Sequence, residues 1–198
     1  MKRQAAAVVT AAAALVGVAG AVLASGGASD DEAGGQATAA PAKAPAELVR
    51  ACRRADRTFD GEVACPAVVP PGPLTVESAG PLNPRTSRRR DGYLLDLSSP
   101  RLGGAHDGHW TLAGGTDPSL AALVDVPGAA ARQVRVAGRT ATVRRMPAYE
   151  DGGGLYGGHV VVTWRDGRTT RQVSVHGLAH EELAVRIAAS AIRTGATG

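Results

Sequence analysis

Five histidines carry most of the coordination chemistry this chain could perform: His106, His109, His159, His176 and His180. His106-Asp107-Gly108-His109 sets two imidazoles three residues apart with a carboxylate between them, and His176 and His180 stand four apart beside Glu181. A neutral imidazole offers one ring nitrogen as a ligand, so two such pairs brought together would suit a transition metal such as zinc. Neither spacing completes a metal motif alone. His176 also precedes the predicted closing helix, so helical phasing does not aim it alongside His180. Ordinary turn or surface histidines are the simpler account of both pairs, and no metal site or cofactor is assigned from them.

Other catalytic patterns are thinner. Ser174 and His176 are two apart on one predicted strand, and Asp96 or Asp107 would be the orienting acid of a hydrolase, yet no nucleophile elbow or oxyanion loop accompanies them. Gly152-Gly153-Gly154 and Gly157-Gly158 do not sit between a strand and a helix, as a phosphate-binding loop must, and read as a surface loop. His159 heads one predicted strand and His109-Trp110 another, which would gather histidine and tryptophan at one end of a sheet. The residues expected to bind a ligand are Trp110, Tyr156, His159 and His176, in a domain without catalysis.

The elements that must position these residues are mostly hairpins. Tyr93-Leu94-Leu95-Asp96-Leu97-Ser98 alternates, with Tyr93, Leu95 and Leu97 on one face, and His109 to Ala113 reads as a second strand. Gln133 to Val136 and Thr140 to Arg144 flank a turn at Ala137-Gly138-Arg139. Val160 to Arg165 and Arg168 to Val175 flank Asp166-Gly167, a strong hairpin signal because type I′ turns need positive φ at both central positions. Pairing Arg165 with Arg168 puts Val160, Val162, Trp164 and Val173 on the core side, with Arg171 beside Val162. Arg171 is expected near the edge or stacked on Trp164. A helix from about His180 to Ile192 then lays Leu183, Ile187, Ala188 and Ala191 along one stripe. Leu178 and Leu183 form a staple around an N-cap at Ala179. The predicted class is α+β: an antiparallel β-sheet of several hairpins with a C-terminal helix packed on one face.

Upstream, Glu47 to Ala55 predicts a short helix, and Cys65-Pro66 through Pro73 an extended strap, because proline removes donors and restricts its predecessor. Arg85, Arg88, Arg89 and Arg90 fall in a turn-rich segment and read as a solvated charge run. Residues 25–45 are rich in Gly, Ala, Ser and Pro with no period, and predict a disordered linker. Residues 46–198 are expected to form a single α+β domain.

Residues 1–24 have the layout of a secretory signal: Lys2 and Arg3, an apolar run from Ala5 to Leu23, and small residues at Val22-Leu23-Ala24 for cleavage. The alternative is an N-terminal anchor. Its strong apolar residues sum to roughly −2 to −4 kcal/mol before Thr10, Gly17 and Gly20 subtract, which is marginal for a permanent span. Either way the domain is expected outside the cytoplasm, released or held to the cytoplasmic membrane. There, Cys52 and Cys65, the chain's two cysteines, predict a disulfide worth about 3 kcal/mol in the chain-entropy model. A formal charge of +4, partly carried by Lys2 and Arg3, creates no field that argues for nucleic acid. The expected partner is an envelope ligand or protein.

VVVTWRDG, QVSVHGL, EEL and IAAS, between Val160 and Ile192, together resemble the hairpin-helix unit that closes envelope domains related to the LolA and RseB lipoprotein-handling fold. The chain also looks like uncharacterised exported proteins of GC-rich bacteria, with their Cys-Pro strap and Gly-Gly-His-Val strand. The resemblance implies an antiparallel sheet carrying a helix, with a concave side for acyl chains or a partner peptide. Thr169 and Thr170 stand where an aromatic residue often follows the turn, and the chain is only 3% aromatic. No catalytic residues carry over.

Overall fold

Alternating apolar residues make the sheet, and its two faces have different fates. The structure, a computed structural model, describes residues 40–82, 90–102, 108–116, 120, 129–151, 154–156 and 158–195. These belong to one compact unit, Gln36–Gly198. The elements in chain order are β1 (Ala42–Lys43), α1 (Ala46–Asp56), β2 (Val68–Val69), β3 (Thr75–Pro81), β4 (Gly92–Ser98), β5 (His109–Gly115), β6 (Ala130–Val136), β7 (Arg139–Met146), β8 (Tyr149–Asp151), β9 (Gly154–Tyr156), β10 (His159–Asp166), β11 (Thr169–His176) and α2 (Glu181–Gly195). The signal segment, most of the expected linker, His106, Asp107, and Arg85, Arg88 and Arg89 lie outside the described residues.

The fold is α+β. A 7-stranded antiparallel sheet runs β3-β4-β5-β11-β10-β7-β6, while β1 pairs with β2 and β8 with β9. Tyr93, Leu95 and Leu97 share one face with Trp110, Leu112, Val173, Val175, Val160, Val162 and Trp164, as the alternation predicts. The stripe of α2 (Leu183, Ile187, Ala188 and Ala191) and that of α1 (Leu48, Ala51 and Ala55) cover this face. Each buried aliphatic chain stabilises by about 1.5–3 kcal/mol, so this layer is the main cohesive term. Among the described residues, no helix is long and apolar enough to cross a membrane.

Cys52 and Cys65 form the expected disulfide, with Cα atoms 5.8 Å apart, joining α1 to the strap. The strap is also bound to α2. Ser190 Oγ accepts from the amides of Ala67 at 3.1 Å and Val68 at 3.3 Å, and Thr194 Oγ1 donates to the Cys65 carbonyl at 2.6 Å. Ala42 and Lys43, inside the segment expected to be linker, pair with Val69 and Val68.

The last hairpin departs from the expected register by two residues. Asp166 pairs with Thr169 and Arg165 with Thr170, so the turn is Gly167-Arg168. Gly167 has φ of +58°, the requirement of a II′ turn with glycine at its first central position. Because the slip is two, every side chain keeps its face. Arg171 therefore opposes Trp164 rather than Val162, and it is 4% exposed rather than at an edge. Its guanidinium donates to the Glu62 carbonyl and lies 3.5 Å from the Asp166 carboxylate. The β6–β7 turn is Ala137-Gly138, with φ of +46° and +83°, the pattern of a I′ turn. At the end of β11, a 3-10 turn over Leu178–His180 precedes α2, which begins at Glu181 instead of near His180.

A three-histidine candidate metal centre

His109 heads β5, His159 heads β10 and His176 ends β11. Because β11 lies between antiparallel β5 and β10, these three positions fall at the same end of the sheet. His159 and His176 are Cα partners. Val175 pairs with Trp110, so one step further the same register sets His176 opposite His109. Alternation then sends all three rings to the face opposite Trp110, Val175 and Val160, away from the helices.

The rings meet closely. Their centroids are 5.1 Å apart for His109 and His159, 5.6 Å for His109 and His176, and 4.9 Å for His159 and His176. One ring nitrogen from each lies within 4.8 Å of the other two. His159 is 7% exposed and His176 6%, whereas His109 is half-buried and forms the open side. The cross-strand row continues beyond the triad. Ser98 on β4 opposes His109, and Met146 on β7 opposes His159, giving Ser98, His109, His176, His159 and Met146 in succession.

Glycines permit the close approach at both strand-heading histidines. A Cβ on Gly108 would lie 1.9 Å from the Ser99 carbonyl oxygen, and one on Gly158 would lie 2.8 Å from that of Met146. Beyond the row, the Gly177 amide donates to the Gly158 carbonyl at 2.7 Å and closes the end of the hairpin.

No protein-family model, curated protein or solved structure matches the chain. Function is therefore argued from these side chains.

The structure brings together two of the residues expected to bind a ligand, His159 and His176, and adds His109. Trp110 is fully buried in the helix-side core, on the opposite face from its neighbour His109. Tyr156 lies on β9, opposite Tyr149, and its side chain is outside the described residues. Of the two sequence pairs, His109 and His176 enter the cluster, and His106 lies outside the described residues. His180 turns instead to the Leu102 carbonyl, with Nε2 at 2.8 Å. Ser174 shares the face of His176 and is buried one row further in. Met146 had no chemical signal in the sequence, and only the β7–β10 register shows it beside His159.

Three imidazoles meeting on a largely buried surface have a specific capacity. Nitrogen donors at about 2.0–2.1 Å from one ion sit about 3.3 Å from each other in tetrahedral geometry. The ring nitrogens, within 4.8 Å of one another, would draw closer on a shared ion. Imidazole suits zinc, copper, nickel and iron, whereas calcium and magnesium take oxygen ligands. Three protein donors leave a fourth position for a water or another ligand.

Proposed function

We propose that this chain is an exported domain that binds one transition-metal ion through His109, His159 and His176. The observation that carries the reading is the triad itself, with ring nitrogens mutually within 4.8 Å and two of the rings buried. The three imidazoles come from three different strands and meet with ring centroids 4.9–5.6 Å apart. One transition-metal ion would take a ring nitrogen from each. Export is supported by the basic and apolar N-terminus of the sequence and by the Cys52–Cys65 disulfide, which suits an oxidising compartment.

Equilibrium dialysis against zinc and against cobalt(II), followed by elemental analysis, tests the site. One ion per chain is expected, with cobalt(II) absorption in the visible range reporting nitrogen ligation. His159→Ala and His176→Ala should each remove stoichiometric binding. His180→Ala should leave it intact, because His180 is engaged with Leu102 rather than with the triad. Absence of stoichiometric metal in the unmodified protein, or equal loss on His180→Ala, would sink the reading.

A further inference from the structure

We propose that Met146 joins the triad as a thioether ligand and makes the centre selective for copper(I). This inference rests on the three-histidine reading and specifies the ion. Sequence use is the first observation. The chain contains 2 methionines, and one is Met1. Its main core cluster contains aliphatic and aromatic residues and a half-cystine but no methionine, so the single internal methionine is not a habitual packing residue here. It stands at the position directly opposite His159.

Register and burial supply the second. Directly opposed residues in an antiparallel pair have Cβ atoms about 4.5–5.5 Å apart and share a face. Met146 therefore projects to the histidine side of the sheet, where it is buried with Val161 and Ala129 at its flank. An unbranched side chain with three rotatable bonds can swing its sulfur toward the neighbouring ring without moving the backbone. A leucine of similar volume would fill the same space with no donor atom.

Charge supplies the third. Among the described residues, the cluster consists of imidazoles, without a carboxylate or thiolate. On the same face, one row in, Asp96 and Arg144 stand on β4 and β7, with β5, β11 and β10 between them. Ser98 at the end of the row donates to the exposed Glu77 carboxylate at 2.7 Å, on the outer strand β3. An ion held by the triad thus keeps its charge in a mostly buried place. Born desolvation grows as the square of charge, so a monovalent ion costs about one quarter of what a divalent ion of equal size costs. Thioether sulfur is a soft donor that selects copper(I), and imidazole accepts copper readily. Three imidazoles and one thioether make a four-donor set for that ion. Zinc would use the three imidazoles and a water.

The test uses the purified full chain under anaerobic, reducing conditions, with copper(I) titrated against a chromophoric chelator. Met146→Leu conserves volume, so the fold should survive. Copper(I) affinity should fall by at least about tenfold, the lower bound for losing even an outer partner of a metal ligand. Cobalt(II) and zinc affinity should stay unchanged. X-ray absorption of the copper(I)-loaded unmodified protein should show a sulfur scatterer in addition to nitrogens, a readout that needs no variant. A nitrogen-only copper shell, or a Met146→Leu variant that weakens copper(I) and cobalt(II) equally or neither, would overturn the role of Met146 while leaving the triad standing. Failure of the unmodified protein to bind any of these metals would overturn the triad itself.

Discussion

Ala137 and Glu181 are single residues whose local physics can be measured apart from the metal site. Ala137 has φ of +46° and is the single non-glycine residue with positive φ among those described. An L-residue with a Cβ loses about 1–2 kcal/mol in that region, and asparagine tolerates it best after glycine. Ala137→Asn should therefore raise stability by about 0.5–1 kcal/mol, read as a higher urea midpoint with unchanged slope; a lower midpoint would show the turn is not under strain. Glu181, in the first turn of α2, accepts from Arg132 and, at 3.0 Å, from Arg145. The hydrogen bond from Arg132 does most to hold its carboxyl below the ordinary 4.5; partial burial opposes it, and the hydrogen bond from Arg145 adds to it. A lowered folded value means the contribution is complete above 4.5 and disappears as pH falls through the folded value. The melting temperature of Glu181→Gln should thus lie below that of the unmodified protein at neutral pH, and the gap should close in acid. A gap constant with pH would contradict the ion-pair account. Both arginines are about half exposed, so screening keeps the effect modest.

Strand ends, more than strand interiors, set the histidine row. Gly158 is pressed between the Met146 carbonyl, 2.8 Å from where a Cβ would stand, and the Leu178 side chain at 2.7 Å. Gly158→Ala should force β7 and β10 apart at the His159–Met146 pair, costing about 1–3 kcal/mol as overpacking does and weakening metal binding with it. Gly80→Ala is the control, since nothing lies within 4 Å of its added carbon; its effect should stay within about 0.5 kcal/mol. Equal behaviour of the two variants in chemical denaturation would remove the steric argument. The β10–β11 turn shows how much such local constraints resolve. Asp166-Gly167 was legible as a turn signal, but whether glycine takes the first or the second central place decides the register. In the structure it takes the first, and Asp166 then pairs with Arg139 at 3.0 Å and approaches Arg171.

For the whole molecule, a bound ion should act as a staple across β5, β11 and β10. Metal at about one hundred times its dissociation constant stabilises the folded state by about 2.7 kcal/mol. In a domain of this size that raises the melting temperature by roughly 5–10 °C. Calorimetry with and without metal should show the rise, and His159→Ala should abolish it; an equal rise in both proteins would mean the ion binds elsewhere. The sequence by itself determined the faces of the central hairpins and of the closing helix. Tyr93, Leu95 and Leu97 alternate inward, Leu183, Ile187, Ala188 and Ala191 mark the helix stripe, and the cysteine count named the disulfide. Those properties follow from local periods of two and 3.6 residues, and a two-residue register slip preserves them. The site was legible only in part: His109 and His159 stood out at strand starts and His176 at a strand end, but Trp110 rather than His109 was expected to bind, and Met146 carried no signal. Only the tertiary structure decided that β11 lies between β5 and β10 and that β7 flanks β10. That order depends on burying both helices against one face of the sheet, a global condition no local period encodes, and it turns four residues distant in sequence into one row.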